Sequence, residues 1–245
     1  HPEIGFQENR TSAIVAKKLN DYGADLIDVG LGKTGVVGIV EGRFPGNRCV
    51  ALRADMDALP IKETSGVAFT SETPGVMHAC GHDAHTTMLL GAAKYLAETR
   101  EFAGRAMLVF QPAEEGLGGA RRMISDGLFE KFPCDEIFGM HNAPNCKPGT
   151  FEICKGTAMA GALFFDINIS GIGGHAALPQ NTRDPLVVAA TLVDQLQTIV
   201  SRNVAPLDTC VLSVTQIHAG SAYNIVPENG KLAGTVRYFK NDVRD

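Results

Sequence analysis

Between residues 48 and 116 the sequence passes from a compact apolar run, RCVALRADM, through HTTMLLGAAKYLAETR, to a second compact run, GRAMLVFQPAEEG. The middle segment combines good helix formers with apolar residues at helical spacing, and the flanking runs have strand length and composition. Strand, helix and strand in that order close in one common way, with the two strands parallel in one sheet and the helix crossing over it. The chain is therefore expected to be an α/β protein with a mostly parallel sheet.

Neighbouring segments extend the pattern. TSAIVAKKLNDY, residues 11–22, reads as a first helix behind a Thr/Ser cap. GVVGIVEG reads as a strand beside RCVALRADM, the two separated by the turn-like RFPGN. GGARRMISDGLF supplies a further short helix and DEIFGMHNAP a strand ending in polar residues. From about residue 160 the texture changes. GALFFDINISG alternates like a half-exposed strand, PLVVAATLVDQLQTIVSR is a helix opened by Asp184 and Pro185, and CVLSVTQIHAG and KLAGTVRYF are two more strands. That order, β-α-β-β, opens a ferredoxin-like domain. The expected division is residues 1–159 and residues 160–245, the second domain being partial.

Sites in open α/β sheets gather at the carboxyl ends of strands and in the loops that follow. Asp55, Asp57, Glu114, Glu115 and His141 fall at such ends, and Cys80 and His82 lie in the loop ahead of the crossover helix. The stretch MHACGHDAHTT places three of the seven histidines beside a cysteine. Cys80, His82, Glu115 and His141 offer a thiolate, two imidazoles and a carboxylate. Such a set suits zinc, manganese, nickel or cobalt, whereas calcium and magnesium prefer oxygen alone. In the pair Glu114–Glu115 one carboxylate can bind metal while the other holds water. A thiol–imidazole pair built on Cys80 is a second possibility, but two adjacent glutamates oppose thiolate formation unless a cation lies between them. His78 and His85 are equally compatible with supporting or ligating positions.

The net charge of −5 and the lack of any basic block argue against a nucleic-acid surface. No apolar run approaches the roughly 18 to 20 residues needed to span a bilayer, so a soluble, cytoplasmic protein acting on small molecules is expected, without a membrane partner. The six cysteines form no CxxC pair, and disulfides are not expected.

Six separated motifs, ALRADMDALPI, MHACGHDAHTTMLLGAA, LVFQPAEEGLGGARRMI, GMHNAPNCKPG, GGHAALPQ and AYNIVPE, occur in an order that resembles the metal-dependent amidohydrolase subgroup of the aminoacylase/carboxypeptidase family. Hippurate hydrolases, N-acyl-amino-acid amidohydrolases and auxin-conjugate hydrolases belong to it. The resemblance covers nearly the whole chain. It implies a zinc-exopeptidase-like catalytic domain with an inserted ferredoxin-like dimerisation domain, a homodimer, and hydrolysis of N-acyl amino acids with two divalent metal ions. Carried onto this sequence, it makes Cys80, His82, Glu115 and His141 the metal ligands, with Cys80 bridging, and Glu114 the general acid/base. His175 would reach across the dimer to the substrate carbonyl, Asn224 and Arg237 would bind its carboxylate, and Asp55 would stand behind a ligand. The resemblance also implies a piece cut at both ends, since the sequence begins inside the motif HPEIGFQE and does not reach the family's last metal-ligand histidine. An inactive fragment or paralogue retaining only metal binding or dimerisation is the alternative.

Overall fold

The computed structural model describes residues 1–245, which divide into two compact units, His1–Asn145 and Cys146–Asp245. The first contains α1 (Asn9–Tyr22), β1 (Leu26–Leu31), β2 (Gly35–Glu41), β3 (Phe44–Asp55), α2 (His82–Thr99), β4 (Ala103–Gln111), α3 (Gly119–Ser125), α4 (Leu128–Lys131) and β5 (Glu136–Gly139). Its five strands lie in the order β1-β2-β4-β3-β5. β3 is parallel to β4 and to β5, while β2 is antiparallel to both β1 and β4.

The sheet is thus mixed, and β2 and β3 are not neighbours as their proximity in sequence suggests. β4 enters between them. RFPGN does not close a hairpin: Gly42 N donates to Gly104 O, Phe44 pairs with Ala103, and Pro45 and Gly46 are absorbed in a register shift before Cys49 pairs with Arg105. Gly104 makes this approach possible, because at φ +81° a Cβ there would lie 2.2 Å from Arg48 O. β1 carried little sequence signal. It is an edge strand interrupted by Asp28 and Gly30 and mostly solvent-facing, so strand alternation is weak. The expected helix over GGARRMISDGLF is two short helices, broken at Gly127 with φ +93°.

Strand alternation in β4 builds a core on each face of the sheet. Ala106, Leu108 and Phe110 pack with Val15 and Leu19 of α1 and with Leu89, Ala93 and Ala97 of α2. Met107 and Val109 point the other way, to Met123 of α3 and Leu128 of α4. This three-layer arrangement leaves the carboxyl ends of β3, β4 and β5 at one edge, where Asp55 pairs with Gln111 and Arg53 with both Val109 and Gly139.

In the second unit no helix or strand occurs before β6 (Gly161–Ser170). There follow β7 (Gly174–His175), a 3-10 turn, α5 (Pro185–Asn203), β8 (Cys210–Ala219), β9 (Ile225–Val226), β10 (Asn229–Tyr238) and α6 (Asn241–Arg244). α5 begins as the sequence indicates, with Asp184 accepting from Leu186 N at 2.8 Å and Pro185 in the first turn. The strand order β6-β10-β8, with β10 antiparallel to both neighbours, is that of the first three strands of a ferredoxin-like sheet. No helix is long and apolar enough to cross a membrane.

Phe110 is fully buried in the central strand of the first unit. Phe110→Ala should cost about 3 to 5 kcal/mol, read as a lowered urea midpoint.

Candidate metal centre

The loop between β3 and α2 delivers Cys80 and then turns sharply at Gly81, which has φ +90°. A Cβ at Gly81 would lie 2.7 Å from Asn142 Oδ1, so the turn needs glycine for both conformation and space. The first turn of α2 then places His82 and His85, three residues apart, on the face that meets the sheet edge. Both rings are buried.

His82 Nδ1 lies 3.2 Å from Asp57 Oδ1. With that nitrogen donating to the carboxylate, Nε2 carries a lone pair. Nε2 is buried and has no hydrogen-bond partner, and it faces Glu115 Oε1, which is likewise buried and unpartnered, at 3.8 Å. Asp55 Oδ2 and Glu114 Oε2 stand 3.7 and 4.0 Å from the same nitrogen. Acceptors facing one another without a donor leave a position that a cation satisfies.

On the neighbouring side His141 donates from Nδ1 to Asn142 O at 2.8 Å, which turns its Nε2 toward Cys80 Sγ at 3.3 Å. His85 supports this corner. Its Nδ1 lies 2.6 Å from Asp55 Oδ1, and its Nε2 lies 2.6 Å from Asn142 Oδ1 and 3.0 Å from Asn142 N. Asp55 is also paired with Arg53, whose Nη1 lies 2.8 Å from Oδ2. Single donor atoms of Cys80, His82 and His141 gather within 4.8 Å of one another, and so do those of His82, Glu114 and Glu115. The structure therefore brings the other three expected ligands, Cys80, Glu115 and His141, and also Glu114 together around His82.

Ionisation equilibria reflect the surplus of carboxyl groups. Burial pushes the Cys80 thiol up to about 11, with Glu115, Glu114 and Asp55 adding to the rise. The thiol is thus protonated near neutrality until a cation joins it, which weighs against a metal-free thiol nucleophile. Burial alone would lower His82, but the Asp57 hydrogen bond and the charges of Asp55, Asp57 and Glu115 carry it upward. For Asp57, burial is outweighed by its bonds to His82 and to the Glu115 amide, and its carboxyl is lowered. Glu114 is raised by burial and by Glu115.

The other expected site residues lie in the second unit. His175 pairs with Ile225 across β7 and β9, and Ala176 N donates to Asn224 O at 3.0 Å, so His175 and Asn224 share one corner. His175 Nδ1 accepts from Ala177 N at 3.1 Å, leaving Nε2–H as an exposed donor. Arg237 does not join them. It pairs with Ala162 and Val211, roughly 26 Å beyond Asn229 at the usual strand rise, with its guanidinium over the Phe164 ring. Sequence reasoning gave no specific role to Asp57, Asn142 or His85. Asp57 and His85 stood inside the quoted motifs, but only the fold shows which ring each carboxylate holds.

The sequence profile of Peptidase family M20/M25/M40 matches residues 51–237. The chain belongs to this family. It is 46% identical to hippurate hydrolase of Campylobacter jejuni, the match covering 100% of this chain and 63% of that protein. With N-acetylcysteine deacetylase of Bacillus subtilis the identity is 41%, covering 100% and 64%. An IAA-amino acid hydrolase of Arabidopsis thaliana is 46% identical over 98% of this chain and 53% of its own length. Among solved structures, a dinuclear metal-binding peptidase of the M20 family from Bacillus subtilis superposes with a TM-score of 0.77 at 36% identity, covering 100% of this chain and 62% of that one. The chain thus spans 53% to 64% of the curated relatives named here. The cluster around His82 offers donor atoms of the kind that hold a divalent metal.

Metal has to displace the Cys80 proton and compete with a proton on His82, so affinity should fall as pH falls, about tenfold per pH unit for each proton released. Zinc titration between pH 6 and 9 measures that slope. Gly81→Ala should weaken zinc binding at constant pH, because it disturbs the turn between Cys80 and His82.

Proposed function

We propose that the protein hydrolyses the amide bond of N-acyl amino acids, with Cys80, His82, Glu115 and His141 holding two divalent metal ions. The observation that carries this reading is the buried, donorless approach of His82 Nε2 and Glu115 Oε1, at 3.8 Å, beside a cysteine and a second imidazole. Manganese, zinc, nickel or cobalt fits a donor set of mixed sulfur, nitrogen and oxygen. Such ions, when bound, act as Lewis acids that lower the pKa of water and polarise a carbonyl. The names of the relatives, a hippurate hydrolase, an N-acetylcysteine deacetylase and an IAA-amino acid hydrolase, share the N-acyl amino acid as their substrate chemistry.

Glu114 is the residue that moves the proton. It reaches the same point as Glu115 but is more exposed, and its raised pKa brings its proton affinity closer to working pH. It takes a proton from the attacking water and returns it to the departing amine. Asp57 holds the tautomer of His82, and Asp55, through His85 and Asn142, holds His141. His175 offers Nε2–H to the developing oxyanion, a contact worth roughly 3 kcal/mol in the transition state. Asn224, which shares the His175 corner, binds the substrate carboxylate. A homodimer formed through the second unit supplies His175 from the partner chain.

Glu114→Gln should keep its metal and lose turnover by a factor of about 100 or more. The check is metal content by elemental analysis alongside hydrolysis of N-acetyl and N-benzoyl amino acids. Turnover retained in that variant sinks the assignment of Glu114. Two ions per chain with no turnover in the unsubstituted protein would instead favour a chain that keeps only metal binding.

A further inference from the structure

The segment ahead of α1 contributes nothing to the reaction as described, yet it is tied to both loops that form the metal centre. Ala58, which follows Asp57, donates its amide to Glu3 O at 2.8 Å and bridges to Ile4. The Glu3 carboxyl in turn accepts from Arg10 N, Thr11 N and Thr11 Oγ1, which fixes the segment onto α1. Gly5 lies so close to the loop after β4 that a Cβ there would meet Ala113 at 3.0 Å and Leu117 at 2.8 Å.

Glu8 is the buried charged residue of this segment, with no exposed surface. Its Oε2 accepts from Thr34 Oγ1 at 2.5 Å, in the turn between β1 and β2, and its Oε1 accepts from Ala113 N at 2.8 Å. Ala113 is itself buried and has φ +52°, a left-handed conformation that a residue with a Cβ adopts only when its surroundings impose it. Its carbonyl accepts from Gly119 N at 2.9 Å. Two residues on, Glu115 N donates to Asp57 Oδ2 at 2.9 Å. The backbone is therefore pinned on both sides of Glu114, by Glu8 before it and by Asp57 after it.

We infer that Glu8 is a positioning residue, whose hydrogen bond to the Ala113 amide holds the left-handed turn that aims Glu115 at His82 and leaves Glu114 beside it. This inference rests on the metal-dependent hydrolase reading. Glu8 touches neither metal nor substrate and acts through the backbone of the loop. Loss of that bond leaves the Ala113 amide buried without an acceptor and frees the turn to relax.

Cobalt(II) alone is the probe, because its absorption spectrum reports the geometry of its ligands independently of turnover. Glu8→Ala should weaken cobalt affinity about 10- to 100-fold and change the spectrum of the bound ion. Glu8→Gln should restore both, since its amide oxygen accepts from Ala113 N and its amide nitrogen donates to Thr34 Oγ1. Adding Ala113→Gly to Glu8→Ala should recover part of the affinity, because glycine adopts the left-handed turn without a brace. Wild-type affinity and spectrum in Glu8→Ala overturn the inference, as does a Glu8→Gln variant no better than Glu8→Ala. Should Glu8→Ala fail to fold, Glu8→Asp carries the test: its carboxyl is one methylene short, and undiminished cobalt affinity there overturns the clamp. Absence of cobalt binding by the unsubstituted protein removes the metal reading and the inference together. Turnover retained in Glu114→Gln removes only the proton-transfer role and leaves the cobalt result for Glu8 standing.

Discussion

The parallel pairing of β3 with β4, in the register that sets Asp55 opposite Gln111, is the constraint on which the rest of the first unit depends. Side chains alternate along a strand, so a slip of one residue would exchange the faces of β4 and turn Phe110 out of the core it shares with α1 and α2. The same slip would carry Asp57 away from Glu115, whose amide it holds. Hydrophobic packing thus fixes where the carboxyl groups stand. The two strands emerge together because β4 is buried on both faces and β3 is its parallel neighbour, which leaves the loops after them side by side.

What those loops bring together is electrostatically unfavourable without a cation. Asp55, Asp57, Glu114 and Glu115 crowd two buried imidazoles, and Arg53 is the one basic side chain bonded into the group. Cys80 and Glu114 are raised first by burial and then by the field of the neighbouring carboxylates, His82 is raised by Asp57, Asp55 and Glu115 against burial, and Asp57 alone is lowered, by the hydrogen bonds it accepts. A divalent ion relieves that field and orders the loops in the same step, so metal binding and local stability are linked. The hydrogen bonds behind the proposed ligands matter as much as those side chains themselves. Asp57 and Asn142 determine which nitrogen of His82 and His141 is free, and a ring in the other tautomer would present a proton where a lone pair is needed.

Much of this was legible in the residues. Compact apolar runs around an amphipathic segment announced the crossover unit, and Asp184-Pro185 announced the start of α5. Cys80 and His82 ahead of the crossover helix, with the Glu pair at a strand end, pointed to metal chemistry because few other arrangements use those side chains together. Other features were hidden. β1 is an exposed edge strand with little alternation, and the insertion of β4 between β2 and β3 rests on hydrogen bonds between residues about sixty positions apart, Cys49 with Arg105 and Asp55 with Gln111. Arg237, grouped with Asn224 by the resemblance, lies toward the opposite end of its strand from the His175 corner.

The sequence by itself determined the α/β class, the strand-helix-strand unit, the β-α-β-β order of the second unit and the chemical identity of the donor atoms. Those follow from local periodicity, capping and side-chain chemistry, which act within a few residues. Tertiary structure decided the strand order, the nitrogens that His82 and His141 turn toward the cluster and the brace that Glu8 gives to Ala113. These depend on which distant groups are packed within hydrogen-bond reach, and only the closed core brings residue 8 beside residue 113.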